Sequence, residues 1–189
     1  MRRTSVIRFM LCLTLLLSGA STLLGQSTAP ELEKISGRVE SFMRQKKPAW
    51  KHETALPPTP PGMPPSPYVV IHFWSSENCY TAGLSIDGTD YGSQVVPCRV
   101  KLAIDQTPSL TETRTRLSDF VHNQRGASPT PLQIGDKGYL WNGSDVVFIK
   151  GKFTFWLSGV VDLRVGDFTI NKEFTQKLAK DIAEALDAN

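Results

Sequence analysis

Glycine and lysine gather in one stretch, residues 134–159, IGDKGYLWNGSDVVFIKGKFTFWLSG. Such a stretch invites three kinds of chemistry: phosphate binding by a glycine-rich loop, glycosylation at Asn142-Gly143-Ser144, or none beyond turn formation. A phosphate loop needs its glycines between a strand and a helix amino terminus, with the lysine followed by Ser or Thr. Here Phe153 follows Lys152, and another strand pattern follows Gly151. Asn-Gly is the strongest short hairpin signal, because both central residues take positive φ. The glycines are therefore read as turns, and the Asn-Gly turn accounts for the residues of the glycosylation sequon.

The sequence carries none of the common catalytic or metal-binding patterns. No serine lies in a G-x-S-x-G elbow and none is followed three residues on by lysine. There is no HExxH, no CxxC and no other close His/Cys ligand spacing. His52, His72 and His122 fall in a loop, a strand and a helix pattern; His72 shares a face with Tyr68, Val70 and Trp74 and reads as a half-buried structural histidine. The run DGTDYG, residues 87–92, spaces two carboxylates around a glycine, but an EF-hand would place glutamate where Cys98 stands. Asp162 and Asp167 have no partner motif for paired-carboxylate hydrolysis. No catalytic residue, metal ligand or cofactor is expected.

The ends of the chain bear on where it works. Met1-Arg2-Arg3 and Arg8 precede an apolar run from Phe9 to Leu17 and the small residues Ser18, Gly19 and Ala20. This is the layout of a secretory signal peptide, too short in its apolar core to span a bilayer. Residues 1–25 are thus expected to be removed, with cleavage after Ala20 or Gly25, leaving a periplasmic or extracellular protein. Arg2, Arg3 and Arg8 account for the whole formal charge of +3, so the remainder is balanced. That argues against a nucleic-acid partner, which needs a gathered basic excess. No second apolar run approaches transmembrane length.

Cys79 and Cys98 remain, and two cysteines in an exported chain most often pair. Closing that loop would contribute about 3 kcal/mol in the chain-entropy model. Strand parity raises an objection. Tyr80, Ala82, Leu84 and Ile86 share one face, whereas Cys98 sits with Val96, Val100, Leu102 and Ile104. The two cysteines can meet only if Cys79 lies in a turn or a bulge intervenes.

The positioning elements follow from periodicity. Leu32, Ile35, Val39, Phe42 and Met43 predict a helix over 31–47, stopped by Pro48. Residues 57–67, PPTPPGMPPSP, with seven prolines in eleven positions, read as a stiff surface connector. Strands are expected at 68–74, 80–86 and 95–104, the last with Arg99 and Lys101 on a wet face. Ser109 and Glu112 form a capping box for a second helix, with Leu110, Thr113, Leu117, Phe120 and Val121 as its stripe. The two hairpins of the glycine-rich stretch give a three-stranded meander. A last helix is expected after Asn171, presenting Phe174, Leu178, Ile182, Ala185 and Leu186. The order is α-βββ-α-βββ-α, an α+β domain over residues 26–189 with an antiparallel sheet of about six strands and amphipathic helices packed on it. RVESFMRQK in the first helix and RLSDFVHNQ in the second hint at a duplicated unit.

At IGDKGYLWNGSDVVFIKGKFTFWLSG followed by FTQKLAKDIAEAL, the chain resembles exported bacterial proteins of unknown function. In these a Gly-Asp motif opens a hairpin, a Lys-Gly turn leads to a strand, and an amphipathic helix closes the domain. The layout is similar to PsbP-like α/β/α domains and to small mycobacterial lipoproteins of that kind. The resemblance implies an antiparallel sheet with packed helices and a non-enzymatic binding or accessory role. Membrane anchoring does not carry over, because Cys12 follows Leu11 within the apolar run; no functional residues transfer.

The aromatic residues supply the remaining lead. Trp74, Trp141 and Trp156 fall on strand patterns, and Trp156 shares its face with Lys152, Thr154 and Ser158, marking a candidate contact surface. The leading expectation is a non-catalytic binding or interaction protein whose partner is an unknown protein. The alternatives are a carrier of a small apolar ligand, held between Phe155, Leu157 and the last helix, and an enzyme with an unrecognised site.

Overall fold

The computed structural model describes residues 29–61, 65–86, 89–123, 128–161 and 168–188. The expected signal peptide, residues 87–88 of the carboxylate run 87–92, and Asp162 and Asp167 lie outside them. Helices α1 (Pro30–Lys46), α2 (Leu110–Asn123) and α3 (Phe168–Asp187) accompany strands β1 (Lys51–Ala55), β2 (Val69–Ile86), β3 (Thr89–Gln106), β4 (Thr130–Leu132), β5 (Lys137–Trp141), β6 (Asp145–Lys150) and β7 (Phe153–Val161). The strands form one antiparallel sheet in the order β1-β2-β3-β7-β6-β5-β4.

The α+β architecture is as the sequence pattern implies, with three corrections. The sheet has seven strands, gaining the short edge strands β1 and β4, which lack the alternating apolar pattern that marks a strand in sequence. The expected strands at 68–74 and 80–86 are one strand, β2, interrupted rather than ended. The last helix starts at Phe168, so Asn171 lies inside it and its backbone carbonyl accepts the Thr175 hydroxyl at 2.8 Å.

The interruption in β2 is a bulge. Ser76 pairs with Cys98 and Tyr80 with Val96, so four steps on β2 face two on β3. Cys79 sits inside it, which lifts the parity objection. Its sulfur reaches that of Cys98 at disulfide distance, with the Cα atoms 5.7 Å apart.

Parity along the central strands then sorts the two faces. Val70, Trp74, Val100, Leu102, Ile104, Phe155, Leu157, Val146 and Phe148 point to the face covered by α1 and α3. There they meet Leu32, Val39 and Met43 from α1 and Leu178, Ile182 and Leu186 from α3. Gly159 lets α3 approach closely, since a Cβ there would meet Thr175 Oγ1 at 2.6 Å. Arg38 of α1 donates to the carbonyls of Ala185, Leu186 and Ala188, satisfying the carboxyl end of α3. On the opposite face, α2 packs Leu117 and Phe120 against Val147, Ile149 and Trp156. The helices with the similar sequences, α1 and α2, thus lie on opposite faces. A two-fold repeat about the β3–β7 seam would put them on the same one.

The glycine-rich stretch does what its turn chemistry requires. Asn142 and Gly143 take φ of 47° and 80° between β5 and β6. Gly151, φ 57°, opens the two-residue turn between β6 and β7, the first central position where a II′ hairpin needs positive φ. Asp136 explains the Gly-Asp motif. Its carboxylate accepts the Gly151 N–H at 2.7 Å, and its own N–H donates to the Ile149 carbonyl at 2.8 Å. At the head of α2, Ser109 Oγ accepts the Glu112 N–H at 3.2 Å, one half of the capping box.

Candidate functional site

Two places gather side chains that turns and core packing do not explain. One is a polar chain beneath α1. Short β1 has one half-buried residue, His52; the other four are exposed. The β1–β2 register sets His52 opposite Trp74 and Thr54 opposite His72, so the two histidines meet on the α1 face. His52 Nε2 lies 2.9 Å from His72 Nδ1, and Ser36 Oγ lies 2.9 Å from His72 Nε2. Glu40, one helical turn after Ser36, comes within 3.7 Å of His52 Nδ1 and is also paired with Arg44. All three rings stack, with His52–Trp74 and His72–Trp74 centroids 4.9 and 5.0 Å apart.

His72 is fully buried rather than half-buried. Burial, and then the neighbouring His52, push its pKa down to about 4, while Glu40 opposes the shift. It is therefore neutral at pH 7. One tautomer set satisfies the whole chain: Ser36 O–H donates to His72, His72 N–H donates to His52, and His52 N–H points toward Glu40. A serine, two imidazoles and a carboxylate in series resemble an activated nucleophile. The setting does not suit that use. Ser36 lies inside α1, where the backbone N–H groups that would stabilise an oxyanion are committed to the helix. The cluster ties an edge strand to α1. The sequence hid it because its members span residues 36 to 72 on three elements, related only by strand register.

The second place is the face that α2 half covers. The helix packs on β5, β6 and β7, and beyond it, on β2, β3 and the end of β7, this face keeps Phe73, Val95 and Val160 exposed while Ile71 is buried. Across that open half run the cross-strand rows Glu53–Phe73–Lys101–Ser158 and Lys51–Ser75–Arg99–Val160. Phe73 is 39% exposed, Val160 48% and Val95 52%. Lys51, Arg99 and Lys101 are exposed among them, with Glu53 the carboxylate in the same rows. At the head of this face, Asp105 of β3 and Arg116 of α2 stand 3.6 Å apart.

The three candidate tryptophans do not make one contact surface. Trp74 faces α1 and is 3% exposed, which removes it from any exposed patch. Trp141 and Trp156 lie on the α2 side as edge-to-face partners of Phe120, with centroids 5.2 and 4.7 Å away. The helix covers the ring that parity alone leaves facing water. Phe155 and Leu157, proposed as the lining of a carrier cavity, are 0% and 1% exposed and packed against α3. His122 is exposed on α2 and contacts the Ser118 carbonyl at 2.7 Å.

Among the described residues no group of three or more His, Cys, Asp or Glu is arranged to hold a metal ion. No helix among them is long and apolar enough to cross a membrane. Neither a family model, nor a curated protein, nor a solved structure matches this chain.

Proposed function

We propose that this is a non-catalytic binding protein whose docking surface is the open half of the sheet. The observation that carries the reading is the partial cover given by α2. It buries Val147 and Ile149 on one half of the face, while Phe73, Val95 and Val160 on the other half meet water. Apolar side chains ringed by Lys51, Arg99 and Lys101 suit a protein partner that brings an apolar contact within an acidic rim. The cysteine pair and the amino-terminal pattern support an exported setting for that encounter.

The test is site-specific photocrosslinking in the native host, with a benzophenone side chain at Phe73 and, as control, at Lys177 on the outer side of α3. The expected result is a discrete adduct from position 73 that Lys101→Glu abolishes, and none from position 177. No adduct from position 73, or the same adducts from both positions, would overturn the reading.

A further inference from the structure

A concavity of about 480 Å³ opens at the head of the half-covered face, lined among others by Tyr68, Val69, Asp105, Pro108 and Arg116. Its volume is that of a small-molecule site. Strand register puts Asp105 opposite Val69 on one side and Thr154 on the other, and Asp105 and Val69 both line the concavity. Thr107, 1% exposed, fixes the geometry by bonding to Thr113 Oγ1 at 2.5 Å and to the Lys152 carbonyl at 3.1 Å, which pins the start of α2 to the end of β3.

The Asp105 side chain is 26% exposed, and its near cation, Arg116 Nη1, is 3.6 Å away, beyond hydrogen-bond length. The other terminal nitrogen of Arg116 is held by Glu112 at 2.6 Å. Two carboxylates therefore share one guanidinium, leaving one negative charge in excess. The Asp105 carboxylate is thus partly desolvated, without a close donor among the described residues. Burial accordingly raises the Asp105 pKa, Arg116 opposes this and Glu112 adds to it. A partly desolvated carboxylate in a concavity that Tyr68, Val69 and Pro108 also line, with its guanidinium drawn off by Glu112, has a definite complement. It is an N–H donor carrying positive charge on an apolar body.

We propose that this cleft binds a small organic ammonium, its cationic nitrogen on Asp105 and its apolar body against Tyr68 and Pro108. Neither Phe73 nor Val160 lines this cleft, which is separate from the docking surface. The probe is 2-phenylethylammonium, titrated at pH 7 into the purified protein and followed by calorimetry and amide chemical shifts. The controls are 2-phenylethanol, the neutral analogue, and 3-phenylpropionate, the anion. Saturable one-to-one binding is expected, with shifts at Val69, Asp105 and Thr107, and the alcohol and the anion at least tenfold weaker. Asp105→Asn should weaken the ammonium at least tenfold and leave the alcohol unchanged. Tyr68→Ala, at an exposed position outside the core, should weaken both alike and guards against misfolding of the first variant. Equal binding of ammonium and alcohol, indifference to Asp105→Asn, or no saturation at millimolar ammonium would each overturn the proposal.

Discussion

Acidification should loosen this protein through His72, and the size of the effect can be worked out. The imidazole is neutral in the fold, with its pKa lowered from 6.5 to about 4, while in the unfolded chain it titrates near the ordinary value. A lowered folded pKa means that the unfolded state takes up the proton first. The contribution of His72 is thus fully present above pH 6.5 and is lost as pH falls toward 4. At about 1.4 kcal/mol per pH step, the loss is about 2 kcal/mol at pH 5 and about 3 kcal/mol when complete. The groups facing His72 are Ser36 and Glu40 from α1, with Arg44 behind Glu40, and His52 from β1. His52 resists the added proton and Glu40 favours it, and burial outweighs Glu40. The assay is urea unfolding followed by tryptophan fluorescence at pH 7 and pH 5, for the native protein and for His72→Gln. The variant should be weaker at pH 7, yet lose about 2 kcal/mol less on acidification. Asp105, whose raised pKa acts in the opposite sense, is common to both proteins and cancels. Parallel losses in the two proteins would refute the reasoning.

Other expectations concern the joints of the fold. Gly135 has φ of 60°, and a Cβ there would strike the Ile149 carbonyl and approach the Phe148 ring, so Gly135→Ala should cost about 2 kcal/mol in chemical denaturation. Arg38→Ala removes three bonds to the end of α3 and should cost about 1–2 kcal/mol; faster amide exchange confined to the last turn of α3 would distinguish it from general destabilisation. Reduction, or Cys79→Ser, should cost about 3 kcal/mol in equilibrium unfolding, and the intact unreduced protein should weigh two hydrogens less than the reduced form.

The exposed apolar patch and the cleft share one origin. An open apolar patch in a helix-covered sheet arises here because α2, at 14 residues, is too short and too far to one side to span seven strands. The cleft lies where the pinned start of α2 leaves the sheet, so both features follow from one helix placement.

Local chemistry was legible from residue order. Helical spacing placed α1 to within a residue at both ends, because a buried stripe must recur near every 3.6 positions, and the Ser109 capping box placed the start of α2. Asn142-Gly143 and Lys150-Gly151 placed two hairpins, since few residues tolerate positive φ. Arg99 and Lys101 alternating with Val100 and Leu102 announced a sheet with one wet side. The possibility of a bulge at Cys79 could be stated from parity, but only pairing with β3 decided it. What tertiary structure alone decided depends on register between distant segments. No local pattern brings His52 to His72 or sets Ser36 above them, because Lys51–Ala55 reads as polar loop until β2 supplies an edge to pair with. Likewise Trp156 shares its parity with solvent-facing residues, and only the arrival of Phe120 from α2 covers it. Alternation tells which side of a sheet a residue is on; what lies over that side is set by elements far along the chain.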